Sequence, residues 1–223
     1  MVWKILEAKL STPRMRRYLE CNKGKHDRAA EAYVHNMRTA EAFVTIFHVL
    51  EVALRNGIQK ELTVEYGRRD WYEEWDNTGN HNFQRLYDRV FDAQKDVLRR
   101  KANATPDNIV AELSFGFWTS LFNRATIVSL SKPLMKVFYY CPANMRKPDN
   151  IRAVLNKARD LRNRCFHHEP LLWQPLHELH RDLSQAVKWI DPSLHDWIQD
   201  HDRVSVILGD WAKWQDARKV GTP

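Results

Sequence analysis

The 223-residue chain is 43% hydrophobic and 28% charged, a globular balance that excludes an extended disordered protein. Nine tryptophans against only seven glycines favour a helical body with bulky anchors over a glycine-punctuated β-sandwich. The formal net charge of +7 biases the partner toward a polyanion, either nucleic acid or an anionic membrane surface.

In chain order, the opening run MVWKILEAKLS carries Lys4, Glu7 and Lys9, which interrupt any signal-peptide core. The next run, LSTPRMRRYLE, reads as a first short helix, with Ser11 as N-cap and Pro13 in its first turn. From about Arg28 to Glu65 the pattern is a long helix, with Phe43, Ile46, Phe47, Leu50, Leu54 and Ile58 on one face. YGRRDWYEEWDNTGNHN is a polar connection studded with aromatics, and a helix follows from about Phe83 to Lys101. NATPDNIVAELSFGFW opens another, Thr105 capping and Pro106 at its first position. Further helices cover about Arg124–Phe138, Asn150–His168, Trp173–Trp189 and Leu194–Arg218. Breaks are expected at Pro133, Pro142, Pro148, Pro170 and Pro192.

There is no repeat, low-complexity tract, composition shift or period-two alternation. The expectation is one all-α domain over 1–223, with a core at about 11–190 and a helical extension at about 194–218. Cys21, Cys141 and Cys165 form no CxxC pair, so neither a disulfide framework nor a cysteine zinc site is indicated. The most apolar stretch, LSFGFWTSLFN, falls far short of the ~20 residues of a membrane span. A reduced, cytoplasmic protein with no membrane segment and no cofactor is expected.

The chemistry concentrates in RNRCFHHEP, Arg162 to Pro170. On a helical wheel Ile151, Val154, Leu155, Ala158, Leu161, Cys165 and Phe166 cluster, and Arg162 lands among them. A buried guanidinium must find an anion, acceptors or an interface. Asn163 and His167, four residues apart, share the flank of that stripe. Pro170 disfavours helical geometry at Glu169, so the helix should end near His168. An arginine to hold a phosphate and an imidazole to move protons suit a phosphodiester. RNA fits best, because its 2′-hydroxyl is a built-in nucleophile. The plainer alternative is an arginine paired with a core carboxylate and two histidines that cap a helix.

The same run is similar to the R-N-x-x-x-H signature of the HEPN superfamily (higher eukaryotes and prokaryotes nucleotide-binding). It most resembles the bacterial Abi-like (abortive infection) branch. STPRMRRYLE, AEAFVTIFHVLEVALRNGI and AELSFGFWTSLF resemble three other blocks of that branch in order and spacing, so the likeness runs from about Ser11 to Trp189. The resemblance implies a helical-bundle fold that dimerises through its motif helices, and a metal-independent endoribonuclease used in phage defence or as a toxin. An antitoxin of protein or RNA would accompany the toxin role. By position, Arg162 would contact the scissile phosphate, His167 would act as general acid or base, and Asn163 would orient the site, with His168 beside it.

The Glu-x-x-x-basic element of the family matches EVALRN, where Glu51 and Arg55 can pair four residues apart and His48 lies on the same side. As an ordinary surface pair they would contribute only about 0.3–0.5 kcal/mol. Glu169 stands where an adenylylation-silenced branch has tyrosine, so that control is not expected. HELH, with His177 and His180, lacks a third zinc ligand and reads as a solvent-facing helix. Two other functions fit the same residues: a non-catalytic helical module that binds RNA or protein, and a structural dimer in which Arg162 pairs with Glu51.

Overall fold

The computed structural model describes residues 2–76 and 78–220; Met1, Asn77 and residues 221–223, which the expected 1–223 domain includes, lie outside the described residues. Every regular element among the described residues is helical. The chain opens with α1 (Val2–Leu10) and α2 (Thr12–Cys21), then the long α3 (His26–Tyr66). A 3-10 turn at Trp71–Trp75 leads to α4 (His81–Leu98), α5 (Pro106–Glu112), α6 (Phe115–Ser120) and α7 (Arg124–Val137). The motif helix is α8 (Pro148–Phe166), followed by α9 (Leu176–Ile190), α10 (Pro192–Gln199) and α11 (Val204–Val220). None of these helices is long and apolar enough to cross a membrane.

The 41 residues of α3 make it about 60 Å long at 1.5 Å per residue, and the other helices gather around it. Its expected stripe, Phe43 to Ile58, is buried and extends to Leu62. Against it pack α6, α7, α8 and α9 in the main apolar cluster. A smaller cluster surrounds its first turns, where Trp3, Met15, Tyr18, Ala29, Ala32, Tyr33, Leu172 and Trp211 meet. The helix stops at Gly67, whose φ of 69° is a left-handed cap that glycine adopts without strain.

Halfway along α3, Gly57 is set by a neighbour rather than by a turn. A Cβ there would lie 2.8 Å from Val137 Cγ1 of α7, and valine's branched side chain has little freedom to yield. Gly57→Ala is expected to lower stability by about 1–2 kcal/mol through overpacking, despite the gain in helix propensity. Chemical denaturation checks this, and adding Val137→Ala should recover part of the loss.

Several boundaries differ from expectation for physical reasons. The run before Ser11 is itself a helix, because Trp3 docks into the smaller cluster and its ring lies parallel to that of His26, 5.2 Å between centroids. Ser11 sits at the start of α2 but makes no side-chain cap, its backbone holding φ 76°. The supposed polar connection contains an aromatic rivet: Trp71, Tyr72 and Trp75 are buried, with Trp75 against Phe83. Pro133 does not end a helix; it is buried inside α7. Thr105 does cap α5, accepting from the Asn108 amide, but the helix ends at Glu112 and restarts as α6. The expected helix from Leu194 to Arg218 is two, α10 ending at Gln199 and α11 beginning at Val204.

Candidate functional site

Pro148 opens α8 at its first turn, where the missing N–H costs nothing. Ile151, Leu155, Ala158, Leu161 and Cys165 are buried along it. Cys165, the one thiol inside the motif, is a packing residue: burial pushes its pKa up to about 12, far from a thiolate at neutral pH. Phe166, expected on the same stripe, is instead 48% exposed. Its ring lies under the Arg162 guanidinium, 4.6 Å from centroid to Cζ.

Arg162 therefore lies at the edge of the stripe, held between Phe166 and the Glu51 carboxylate of α3 at 3.8 Å. Its Nε is buried without a hydrogen-bond partner among the described residues. Glu51 does not pair with Arg55 as the four-residue spacing suggested. It reaches across to α8, while Arg55 Nε donates to Asn56. His48, one turn earlier on α3, is exposed.

The end of α8 is a Schellman turn. The Glu169 amide donates to the Arg164 carbonyl at 2.9 Å and the His168 amide to the Cys165 carbonyl at 3.1 Å. His168 takes the left-handed position with φ 56°, which a β-carbon resists by roughly 1 kcal/mol. His167 is the C-cap, its amide donating to the Asn163 carbonyl at 2.8 Å. The side chains of Asn163, His167 and His168 are exposed. His168→Gly is expected to raise stability by about 1 kcal/mol, read from the shift in thermal midpoint.

Two residues that the sequence reading did not single out hold this turn. Asn36 of α3, 3% exposed, donates from Nδ2 to the Glu169 carbonyl at 3.1 Å and accepts the Leu171 amide at 2.6 Å. It thus brackets Pro170 from both sides. Arg14 of α2 donates to the His168 carbonyl at 2.6 Å. Arg164 pairs with Glu169 at 3.1 Å, and Arg17 lies over Trp173 at 4.8 Å. Guanidinium groups of Arg14 and Arg164 therefore touch this turn, and Arg162 lies further back on α8, with the carboxylates of Glu51 and Glu169 among them. A surplus of cations near a helix end favours an anion.

Comparisons with protein-family models, with curated proteins and with solved structures give no match.

The HELH pair divides. His177 is exposed, whereas His180 turns inward and not to solvent, its ring edge-on to Phe43 and its Nε2 bonded to Asp202. Burial alone would raise the Asp202 carboxyl, but hydrogen bonds from His180 and the Val204 amide, with the charge of His180, hold it below the usual carboxylate value. A depressed carboxylate stabilises the fold above its unfolded pKa, and that contribution is lost as pH falls through the folded value. Asp202→Ala is expected to cost about 3 kcal/mol at pH 7, with the gap from wild type closing below about pH 4. Urea midpoints across pH measure it. Nearby, His195 bridges Ser184 Oγ at 3.1 Å and Asp196 at 2.9 Å. Asp196 is 76% exposed and Gln199 donates to the same hydroxyl, so this is a polar tie between α9 and α10.

Proposed function

We propose that the chain is a metal-independent endoribonuclease, cleaving RNA by attack of its own 2′-hydroxyl, and acting in abortive infection or as a toxin. The reading places the protein in the Abi-like branch of the HEPN superfamily. The observation that carries it is the end of α8: two exposed imidazoles on a turn that Arg14 and Arg164 contact, with Arg162 on the same helix.

The chemistry follows from those groups. The 2′-oxygen bonds to the adjacent phosphorus and the P–O5′ bond breaks. The 2′-proton passes to a base and the 5′-oxygen receives a proton, giving a 2′,3′-cyclic phosphate and a 5′-hydroxyl. His167 serves as base or acid, with His168 next to it. Arg162 holds the phosphate and offsets charge that builds on its oxygens. Glu51 sets the guanidinium's position, Asn163 orients the site, and His48 and Arg55 flank it on α3. A homodimer that brings two α8 ends together would supply one imidazole for each proton transfer, and the exposed Phe166 suits such a face. An antitoxin, protein or RNA, would act by covering it.

A second reading has its own observation. Glu51 already gives Arg162 a partner within the chain, so the arginine does not require a substrate phosphate, and the same helices would serve a non-catalytic module that binds RNA or protein. Incubating the purified protein with mixed single-stranded RNA in excess EDTA separates the two. Fragmentation supports the nuclease; binding without any cleavage supports the module.

A further inference from the structure

The chain that leaves the end of α8 runs directly onto α2. Leu171 and Leu172 are buried, and they seat the half-buried Trp173 against α2, where the Tyr18 ring lies 5.3 Å from it. The exposed Arg17 lays its guanidinium over the same indole at 4.8 Å. One turn earlier on α2, Arg14 donates to the His168 carbonyl at 2.6 Å. Residues three apart on a helix are neighbours, with Cβ atoms about 5–6 Å apart. Trp173, Arg17 and Arg14 thus follow one another onto the turn that carries the two histidines.

The charge of this row is not cancelled. Arg164, on the other side of the turn, is neutralised by Glu169. Arg14 meets a neutral carbonyl and Arg17 a ring, and among the described residues neither forms an ion pair. The one carboxylate of α2, Glu20, stands a turn beyond Arg17, away from Arg14, and pairs with neither. Like charges a turn apart oppose the helix slightly, and an anion between them removes that cost. Arg17 also rests on indole by one face while its side chain is exposed, so the other face is open to a second ring.

We propose that this row is the subsite for a nucleotide flanking the scissile phosphate of a single-stranded RNA, a proposal that rests on the nuclease reading above. The phosphate of that nucleotide sits between Arg14 and Arg17. Its base stacks on the outer face of the Arg17 guanidinium, with Trp173 beneath. Every base offers such a face, so the subsite selects an unpaired strand rather than a sequence. Arg14 holds the His168 carbonyl and the phosphate together, which ties the strand to the turn.

The test measures affinity on the full chain by fluorescence anisotropy. The probes are a 2′-O-methyl 12-mer, which cannot undergo 2′-hydroxyl attack, and the same strand with one abasic nucleotide at each position in turn. Arg17→Ala is expected to weaken binding of the intact strand about tenfold. Arg17→Lys keeps the charge and loses the planar stack, so it should weaken binding about threefold with the salt dependence unchanged. Arg14→Ala should weaken it about fivefold and flatten the salt dependence. Arg124→Ala, at the exposed start of α7, should change it less than about twofold. One abasic position should cost wild type about fivefold and Arg17→Ala less than about twofold. If Arg14→Ala and Arg17→Ala weaken binding no more than Arg124→Ala, with melting curves unchanged, the subsite is wrong. A wild type indifferent to every abasic position would overturn the stacking. Should both variants lose affinity while wild type leaves unmodified RNA intact, the row stands as an RNA site and the nuclease reading falls.

Discussion

His167→Ala is expected to lower RNA cleavage by about 10²–10⁴-fold and to leave folding stability within about 0.5 kcal/mol of wild type. The two halves of that expectation come from the same fact. His167 is the C-cap of α8, its backbone amide is bonded to Asn163, and its imidazole is exposed. Truncating the side chain therefore removes no packing and no cap. An imidazole that moves a proton takes its full catalytic effect with it, whereas an imidazole on a binding module takes little. Circular dichroism and a denaturant midpoint, beside initial rates on single-stranded RNA, give both quantities. Equal rates for the two proteins would remove His167 from the chemistry.

The second large effect concerns Asn36. Asn36→Ala is expected to cost about 2–4 kcal/mol, because it leaves the buried Leu171 amide and the part-buried Glu169 carbonyl without their partner. The same change releases the turn that carries His167 and His168, so cleavage should fall although Asn36 touches no substrate. Hydrogen exchange separates this local release from global loss. The Leu171 amide should exchange faster under conditions where amides in the middle of α3 remain protected. Unchanged Leu171 protection would show that the turn is held by other means. Asn36→Asp is the informative companion, since it keeps the acceptor for Leu171 and loses the donor to Glu169.

How much of this was legible in the sequence depends on whether an element is decided locally. The stripe from Phe43 to Ile58 and the Thr105–Pro106 start rest on spacing and caps, and the helices form where those signals stand; Pro148, expected as a break before a helix from Asn150, instead opens α8. Trp3 and the Trp71–Trp75 turn are not legible locally because their aromatics are anchored on neighbouring elements, Trp3 on His26 and the turn on Gln59, Tyr66 and Phe83. Pro133 reads as a break by its residue type alone, yet α7 carries it as a buried interior residue. The pairing of Glu51 shows the limit most clearly. Four-residue spacing pointed to Arg55, but α8 brings Arg162 across, and no local rule reports which helix lies alongside. Asn36 was a missed signal rather than a hidden one. It falls on the buried side of α3 between Ala29 and Phe43, just as Arg162 falls on the stripe of α8, and a polar residue there needed a partner.

The central claim is that the phosphodiester is broken by its own 2′-hydroxyl at the end of α8. The most direct measurement is the chemistry of the new ends, by mass spectrometry of fragments from a defined single-stranded RNA treated with purified protein in EDTA. The account requires 2′,3′-cyclic phosphate and 5′-hydroxyl termini, and no cleavage of the same strand with 2′-O-methyl sugars. Fragments with 5′-phosphate and 3′-hydroxyl ends, or equal cutting of the methylated strand, would contradict it.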